Sequence, residues 1–271
     1  MELAEARAET RREACDVSPL LAVEGVTIRF GGVTALQDVS FAVARRAICG
    51  LIGPNGAGKT TLFNCVSRLY HPHAGQILFE GHSLAGVGRH ELAALGVART
   101  FQNAALFSTM TTRDNVRVGA HALGRSGFLM NALALPRARR ETRRISERAD
   151  ALIEEFGLRR VADRSVGELP FGVRKRIELA RALASEPKLL MLDEPAAGLN
   201  HEEVDALSHE IRAIRDRRGV AILIVEHHMN LVMRVSDQVV ALEFGRVIAD
   251  GTPEAVRANP EVVRAYLGSA A

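Results

Sequence analysis

Nowhere does the sequence hold an uninterrupted apolar run of about eighteen residues, the length a membrane-spanning helix needs, so any membrane it serves must be spanned by another chain. The start, Met1 to Pro19, is charged and alanine-rich and lacks the apolar centre of a secretory signal. It is expected to form a polar arm, residues 1–19, ahead of a folded unit spanning 20–271. Cysteines are scarce as well: Cys15, Cys49 and Cys65 are too few, and odd in number, for a disulfide framework, which points to a reducing cytosol. Neither sign of charge dominates, with 35 Lys and Arg against 32 Asp and Glu and a formal net charge of +3, so nothing demands a polyanionic partner. One segment is densely cationic: Arg137, Arg139, Arg140, Arg143, Arg144 and Arg148. Because Glu141 and Glu147 are interspersed and no aromatic residue is available to stack on bases, a solvated helix face is favoured over a lipid-headgroup or nucleic-acid surface.

What the chain does have is 47% hydrophobic residues over 271 positions, enough to bury a sizeable core. It also has the stretch Gly53-Pro54-Asn55-Gly56-Ala57-Gly58-Lys59-Thr60, which fits GxxxxGK[ST]. The apolar run from Ala47 to Ile52 precedes it as a buried strand, and Thr60-Thr61-Leu62-Phe63 follows it as a helix start, which is the context a P-loop requires. Gly53, Gly56 and Gly58 permit the positive φ angles that turn successive N–H groups inward, and the helix adds the positive end of its dipole. Lys59 is expected to reach the β- and γ-phosphates of a nucleotide, and the Thr60 hydroxyl to ligand Mg²⁺.

Around this loop the periodicity changes twice. Leu20 to Val43 alternates through Val23, Val26, Ile28, Phe30, Val39, Phe41 and Val43 about the turn Gly31-Gly32, predicting antiparallel strands. A further strand pair is expected at Gln76–Phe79 and Val97–Phe101, with a short helix over Glu91–Leu95 between them. From about 103 to 181 the pattern is helical, with an apolar stripe at Ile145, Ala149, Leu152, Ile153 and Phe156, and predicts an inserted helical subdomain. Strand-like runs then return at Leu189–Leu192, Val220–Val225 and Val239–Phe244, separated by helices over Glu202–Arg218 and Met229–Val235. That alternation implies a parallel sheet with covering helices. A short strand after Gly245 and a helix from Pro253, capped by Thr252, close the chain. The fold expected is α/β: a P-loop NTPase core with a mainly parallel sheet, an antiparallel β subdomain and an inserted α-helical subdomain.

The strand Leu189-Leu190-Met191-Leu192 ends in Asp193-Glu194, two carboxylates where a parallel strand opens onto the ligand crevice. Paired with a P-loop this is a Walker B arrangement, in which Asp193 would hold Mg²⁺ and Glu194 would polarise the water attacking the γ-phosphate. The strand Ala221-Ile222-Leu223-Ile224-Val225 leads through Glu226 to His227, with His228 beside it as a rival for contact with the γ-phosphate.

These pieces, in this order, resemble the ATP-binding subunit of ABC transporters, and the resemblance covers Leu20 to Gly268. It implies that Phe30 stands where the family carries an aromatic, usually tyrosine, that stacks on adenine. Gln102, in Thr100-Phe101-Gln102-Asn103, resembles the Q-loop glutamine that helps ligand Mg²⁺ and senses the transmembrane partner, and Met110 to Val116 matches the segment after it. Ala197-Gly198-Leu199-Asn200 occupies the D-loop, with Asn200 where aspartate is usual, and Glu226-His227 matches the switch histidine, which prefers His227 over His228. Within the family the chain is most similar to the ATPase subunits of branched-chain amino acid uptake systems. That similarity rests on Leu192-Asp193-Glu194-Pro195-Ala196-Ala197-Gly198-Leu199-Asn200, on Val225 to Met233, on the insertion between Gly119 and Arg148, and on the ending from Gly251 to Gly268. Amide or urea uptake systems are also close, lipopolysaccharide-export ATPases share the ending, and a soluble ABC-type ATPase outside transport is the remaining alternative.

One motif departs from the family pattern. Where LSGGQ is usual, this chain has Leu169-Pro170-Phe171-Gly172-Val173, followed by the recognisable Arg174 to Leu183. Pro170 removes a hydroxyl and an N–H, and Val173 replaces a polar group, while Gly172 is kept. In the family this signature acts on the ATP held by the opposing subunit, so the resemblance implies an asymmetric heterodimer in which this chain's own site is the more complete. It further implies ATP and Mg²⁺ as ligands, integral membrane permease subunits and an external solute-binding protein as partners, no nucleic acid, and a peripheral place on the cytoplasmic side of the inner membrane.

Overall fold

The computed structural model describes residues 18–100, 106–121 and 136–267. The polar arm through residue 17, with Cys15, lies outside these, as do Phe101, Gln102 and most of the segment between Gly119 and Pro136.

Strands β1 (Leu21–Phe30) and β2 (Val33–Val43) form a hairpin about Gly31-Gly32, with Phe30 opposite Val33. Their alternating Val23, Val26, Ile28, Leu36, Val39, Phe41 and Val43 are buried, which is why the pattern specifies this register: a slip by one residue would expose the whole set. Strand β3 (Ile48–Ile52) is buried along its length and runs into the P-loop and helix α1 (Lys59–Val66). Then come β4 (Ala74–Phe79), the short β5 (His82–Ser83), the single-turn α2 (Leu92–Leu95) and β6 (Val97–Arg99). The helical layer comprises α3 (Thr112–Ala120), α4 (Pro136–Glu155) and α5 (Phe171–Leu183). After it the chain alternates through β7 (Leu189–Asp193), α6 (His201–Arg218), β8 (Ala221–Val225), α7 (Met229–Val235), β9 (Gln238–Glu243) and β10 (Arg246–Gly251). Helices α8 (Pro253–Ala258) and α9 (Pro260–Leu267) finish the described chain.

Two sheets result. One is antiparallel, in the order β2-β1-β4-β5; the other, in the order β10-β9-β3-β8-β7-β6, is parallel except for β10 at its edge. Side chains of the central strands divide by alternation. Leu189, Met191, Leu223 and Val225 pack toward α1 and the antiparallel sheet, while Leu190, Leu192, Ile222 and Ile224 pack toward the helical layer and α6. The stripe Ala149, Leu152, Ile153 and Phe156 is buried as its spacing predicts, and Ile145 packs on it partly covered. On the other side of α4, Arg139, Arg140 and Arg144 are exposed and Arg143 Nε donates to Glu147 at 2.7 Å, a solvated face. Cys49 and Cys65 are buried free thiols; burial pushes Cys65 up to about 11 and Cys49 higher still, so neither is a ready thiolate.

Two expectations are corrected. The segments Gln76–Phe79 and Val97–Phe101 do not pair with each other: β4 joins β1 in the antiparallel sheet, and β6 joins β7 in the parallel one. The intervening α2 crosses from one layer to the other, a pairing that local pattern cannot reveal. The closing helix is two helices, because Pro260 has no N–H to continue α8 and starts α9 instead.

Asn200 acquires a local role. Its Oδ1 accepts from Glu203 N at 2.9 Å while Glu203 Oε2 accepts from Asn200 N at 2.9 Å, a reciprocal cap on α6. Thermal melting checks this: Asn200→Asp keeps the cap and leaves the melting temperature near wild type, whereas Asn200→Ala costs about 1 kcal/mol.

Candidate functional site

Strand β8 lies between β3 and β7, and Val225 is the register partner of Leu51 on one side and of Asp193 on the other. The three strands therefore reach their carboxyl ends at one level. The P-loop, Glu226-His227 and Asp193-Glu194 leave the sheet side by side, as ligand sites in parallel sheets require.

Within the loop, Gly53, Gly56 and Gly58 adopt φ of 148°, 80° and 101°, the positive values that the motif predicts. Helix α1 starts at Lys59 with Gly58 as its N-cap and no side-chain cap, so its first N–H groups face the loop's concavity. A cavity of about 220 Å³ lies there, lined by Ala35, Asn55, Gly56, Ala57, Gly58, Lys59, Thr60, Thr61, Glu194 and His227. Lys59 is buried, and its Nζ donates to Gly53 O at 2.6 Å and Pro54 O at 2.9 Å. Burial holds its pKa below the ordinary lysine value, and the Glu194 carboxylate partly opposes that shift.

The acidic side is arranged with equal care. Glu194 takes a left-handed backbone conformation, φ 46°, a strained choice for a residue with a Cβ. Its N–H donates to Val225 O at 2.9 Å, and its Oε1 lies 2.7 Å from His227 Nε2. Thus Glu194 and His227, inferred separately from two strand ends, meet at hydrogen-bond distance; His228 has no such contact among the described interactions. Asp193 is buried and accepts from Arg99 Nη2 at 2.6 Å on Oδ2. The hard oxygens of Thr60 and Asp193 suit Mg²⁺, which characteristically combines one or two protein oxygens with phosphate and water. Among the described residues no group of three His, Cys, Asp or Glu forms a protein cage for a metal.

Other predicted residues lie elsewhere. Phe30 does not line the phosphate cavity; it ends β1, is 45% exposed, and meets Tyr70 edge-on with ring centroids 5.0 Å apart. Gly172 sits in the first turn of α5 and lines a different cavity of about 330 Å³ with Pro170, Leu199, Glu203 and Glu210, apart from this chain's P-loop. Gln102 falls outside the described residues.

Two residues escaped sequence reasoning. Arg99 binds Asp193 and also donates to Asn64 Oδ1 at 2.8 Å and Ser67 Oγ at 2.6 Å, so it ties the Walker B carboxylate to the end of α1. Its one signal was a cation in the apolar strand Val97-Ala98-Arg99. Glu226 is 1% exposed, and its carboxylate accepts from Ala196 N at 2.6 Å, His227 N at 2.9 Å and His228 N at 3.1 Å. It thereby joins the segment after Glu194 to the histidine that Glu194 must meet. An acid directly after a buried apolar strand was the signal, overshadowed by its neighbour.

A P-loop, a strand-end Asp-Glu and a histidine paired with that Glu, assembled on one parallel sheet, define a P-loop nucleoside triphosphatase. Comparison with known proteins narrows this. A family model described as "ABC transporter" matches residues 36–197, and one described as "Branched-chain amino acid ATP-binding cassette transporter" matches residues 246–271. The high-affinity branched-chain amino acid transport ATP-binding protein BraF of Pseudomonas aeruginosa is 44% identical, covering 93% of this chain and 99% of its own. LivG of Escherichia coli, which has the same description, is 42% identical with the same coverage of both chains. Among solved structures, the ADP conformation of an ATP-binding cassette from an ABC transporter superposes with a TM-score of 0.80 at 28% identity, covering 93% of this chain and all of that one. The chain belongs to the ABC transporter family and is one of its ATP-hydrolysing cassettes. No helix among the described residues is long and apolar enough to cross a membrane, and cassettes of import systems work with membrane permeases.

Two measurements probe this geometry. Glu226→Gln puts an amide NH₂ against a backbone N–H on one side or the other, so kcat for ATP should fall about tenfold or more while nucleotide affinity holds; an unchanged kcat would show that the carboxylate is dispensable. Lys59 should be more fully protonated with phosphate bound than without. ATP binding then takes up protons, and affinity declines as pH rises above the depressed Lys59 pKa, at lower pH than an ordinary lysine would require; calorimetry in buffers of different ionisation enthalpy measures the uptake.

Proposed function

We propose that this chain energises import of branched-chain amino acids or related amides, as a peripheral subunit on the cytoplasmic side of the inner membrane. Its partners would be permease subunits, a second ATPase subunit and an external solute-binding protein, with no role for nucleic acid. The observation supporting the chemistry is the 2.7 Å contact of Glu194 with His227 above the P-loop cavity. The solute assignment is supported by the match of residues 246–271 and by relatives of that description along the whole chain.

In this reading residues 20–271 act as one nucleotide-binding domain, with the helical layer within 103–181 as its subdomain. Gly53 and Pro54 lead into the loop, the backbone N–H groups of Asn55, Gly56, Ala57, Gly58, Lys59, Thr60 and Thr61 surround the phosphates, and Lys59 exchanges the Gly53 and Pro54 carbonyls for β- and γ-oxygens. Phe30 offers a face to adenine. Thr60, Asp193 and Gln102 would hold Mg²⁺, which would supply positive charge against that developing on the transferred phosphoryl group. Glu194 orients the attacking water and receives its proton, while His227, fixed by Glu194, donates toward the γ-phosphate.

The signature at the start of α5 serves the partner. Pro170 is the N-cap, with no side-chain hydrogen bond, and Phe171 is 41% exposed, so this face presents a ring and a glycine where a hydroxyl is usual. In this reading the chain supplies Lys59, Thr60, Gln102, Asp193, Glu194 and His227 to its own site and takes the partner's signature there, while the partner's site receives the weaker one. Arg99, three residues before Gln102, lines a cleft of about 720 Å³ with Ser67, Leu92, Gly119 and Arg181, and there we place the contact that carries motion to the permease.

Reconstitution with the permeases, the second ATPase subunit and the solute-binding protein tests both parts. Vesicles should accumulate labelled leucine only with ATP on the cassette side, and Glu194→Gln in this chain should lower turnover by about a hundredfold or more. The equivalent change in the partner should cost much less; equal losses would overturn the asymmetry.

A further inference from the structure

The ending from Gly251 onward bears no catalytic motif, yet it is folded tightly onto the sheet edge. Val256 of α8 and Val262 of α9 are buried with Ile52, Val232, Val239 and Ala241, and Tyr266 packs against this cluster partly covered. Residue Ile52 is the last of β3, so the cluster ends where the P-loop begins. There the hydroxyl oxygen of Tyr266 accepts a hydrogen bond from Gly53 N at 2.8 Å, across 213 positions of sequence.

Gly53 is held from every direction. Its φ of 148° suits glycine alone, and a Cβ built on it would lie 2.2 Å from Leu242 O and 3.0 Å from the Ala57 Cβ. Its carbonyl accepts Lys59 Nζ at 2.6 Å. The N–H is the remaining handle, and it points toward the C-terminal helix instead of into the phosphate cavity. Burial raises the Tyr266 phenol above its ordinary value, with the Gly53 amide partly opposing, so the group stays a neutral hydroxyl in the physiological range.

We propose that Tyr266 is a positioning residue of the nucleotide site: by holding the Gly53 N–H it fixes the peptide that leads from Ile52 into the P-loop, and so the Cα from which the carbonyl under Lys59 projects. The C-terminal helix thereby contributes to ATP affinity without touching ATP, an inference that rests on the P-loop being the phosphate site. If the hydroxyl is removed, the N–H of a buried strand end loses its partner, and the peptide turns or shifts to find another. That planar unit also carries the Ile52 carbonyl and ends on the Gly53 Cα, so its turning changes φ at Gly53 and re-aims the next unit, which bears the Gly53 carbonyl. Lys59 and the following N–H groups then start from a different frame.

The alternative is that Tyr266 merely caps a strand end, a structural role that would lower stability and leave nucleotide binding untouched. Tyr266→Phe and Val262→Ala separate the two. Both act on the same apolar cluster, but only the first removes the hydroxyl. Titration of the full chain with fluorescent mant-ATP, alongside nucleotide-free melting, should show Tyr266→Phe weakening binding about three- to tenfold, beside the lower Tm that an unpaired buried N–H brings. Val262→Ala should lower Tm and leave the Kd unchanged. Wild-type affinity in Tyr266→Phe overturns the proposal, and so does an equal loss of affinity in Val262→Ala. Lys59→Ala serves as the separate check: wild-type binding in that variant would remove the P-loop reading itself, whatever Tyr266 does.

Discussion

The molecule depends on one register constraint, the placing of β8 between β3 and β7 with Val225 level with both Leu51 and Asp193. Three loops that are far apart in sequence then begin at the same height, each anchored to a strand buried on both faces. Backbone hydrogen bonds in a close-packed parallel sheet leave little freedom to slip, so the relative heights of lysine, carboxylate and histidine are inherited from the sheet and need no adjustment by the loops. The helical layer, inserted between β6 and β7, hangs from the far edge of this arrangement, which is why such a large insertion leaves the register intact.

Charge is then distributed so that no two acids compete. Asp193 has the Arg99 guanidinium, Glu226 has three backbone amides, and Glu194 faces the imidazole of His227. Distinct partners keep each of these three carboxylates, on adjacent strand ends, available in its own role. The partners differ in kind as well. A guanidinium can share its carboxylate with an arriving cation, backbone amides cannot leave, and an imidazole can give or take a proton.

Much of this was legible in the residues. The P-loop, the strand-end Asp193-Glu194 and the apolar strands are local patterns, and the periods of two and of 3.6 placed most elements close to where they lie. The pairing of β6 with β7 was not legible, because α2 lies between two short strands that look like a local pair. Glu226 and Tyr266 were hidden for a different reason. Each acts through its side chain on the backbone of a distant segment, and backbone donors are the same at every position, so no residue type on the receiving side marks the contact. The departures at the signature were visible as departures, whereas Asn200, the companion departure, turned out to have a helix-capping task that aspartate performs equally well.

The left-handed backbone of Glu194 has an evolutionary consequence. Conformational strain of about 1–3 kcal/mol is stored at this one residue, and glycine, or to a lesser degree asparagine, would relieve it. Thus the substitution that ends turnover would also make the chain more robust. Selection for folding alone would drift this position away from glutamate, and a lineage that ceased to need hydrolysis should lose Glu194 early while keeping the P-loop glycines, whose replacement the fold itself resists.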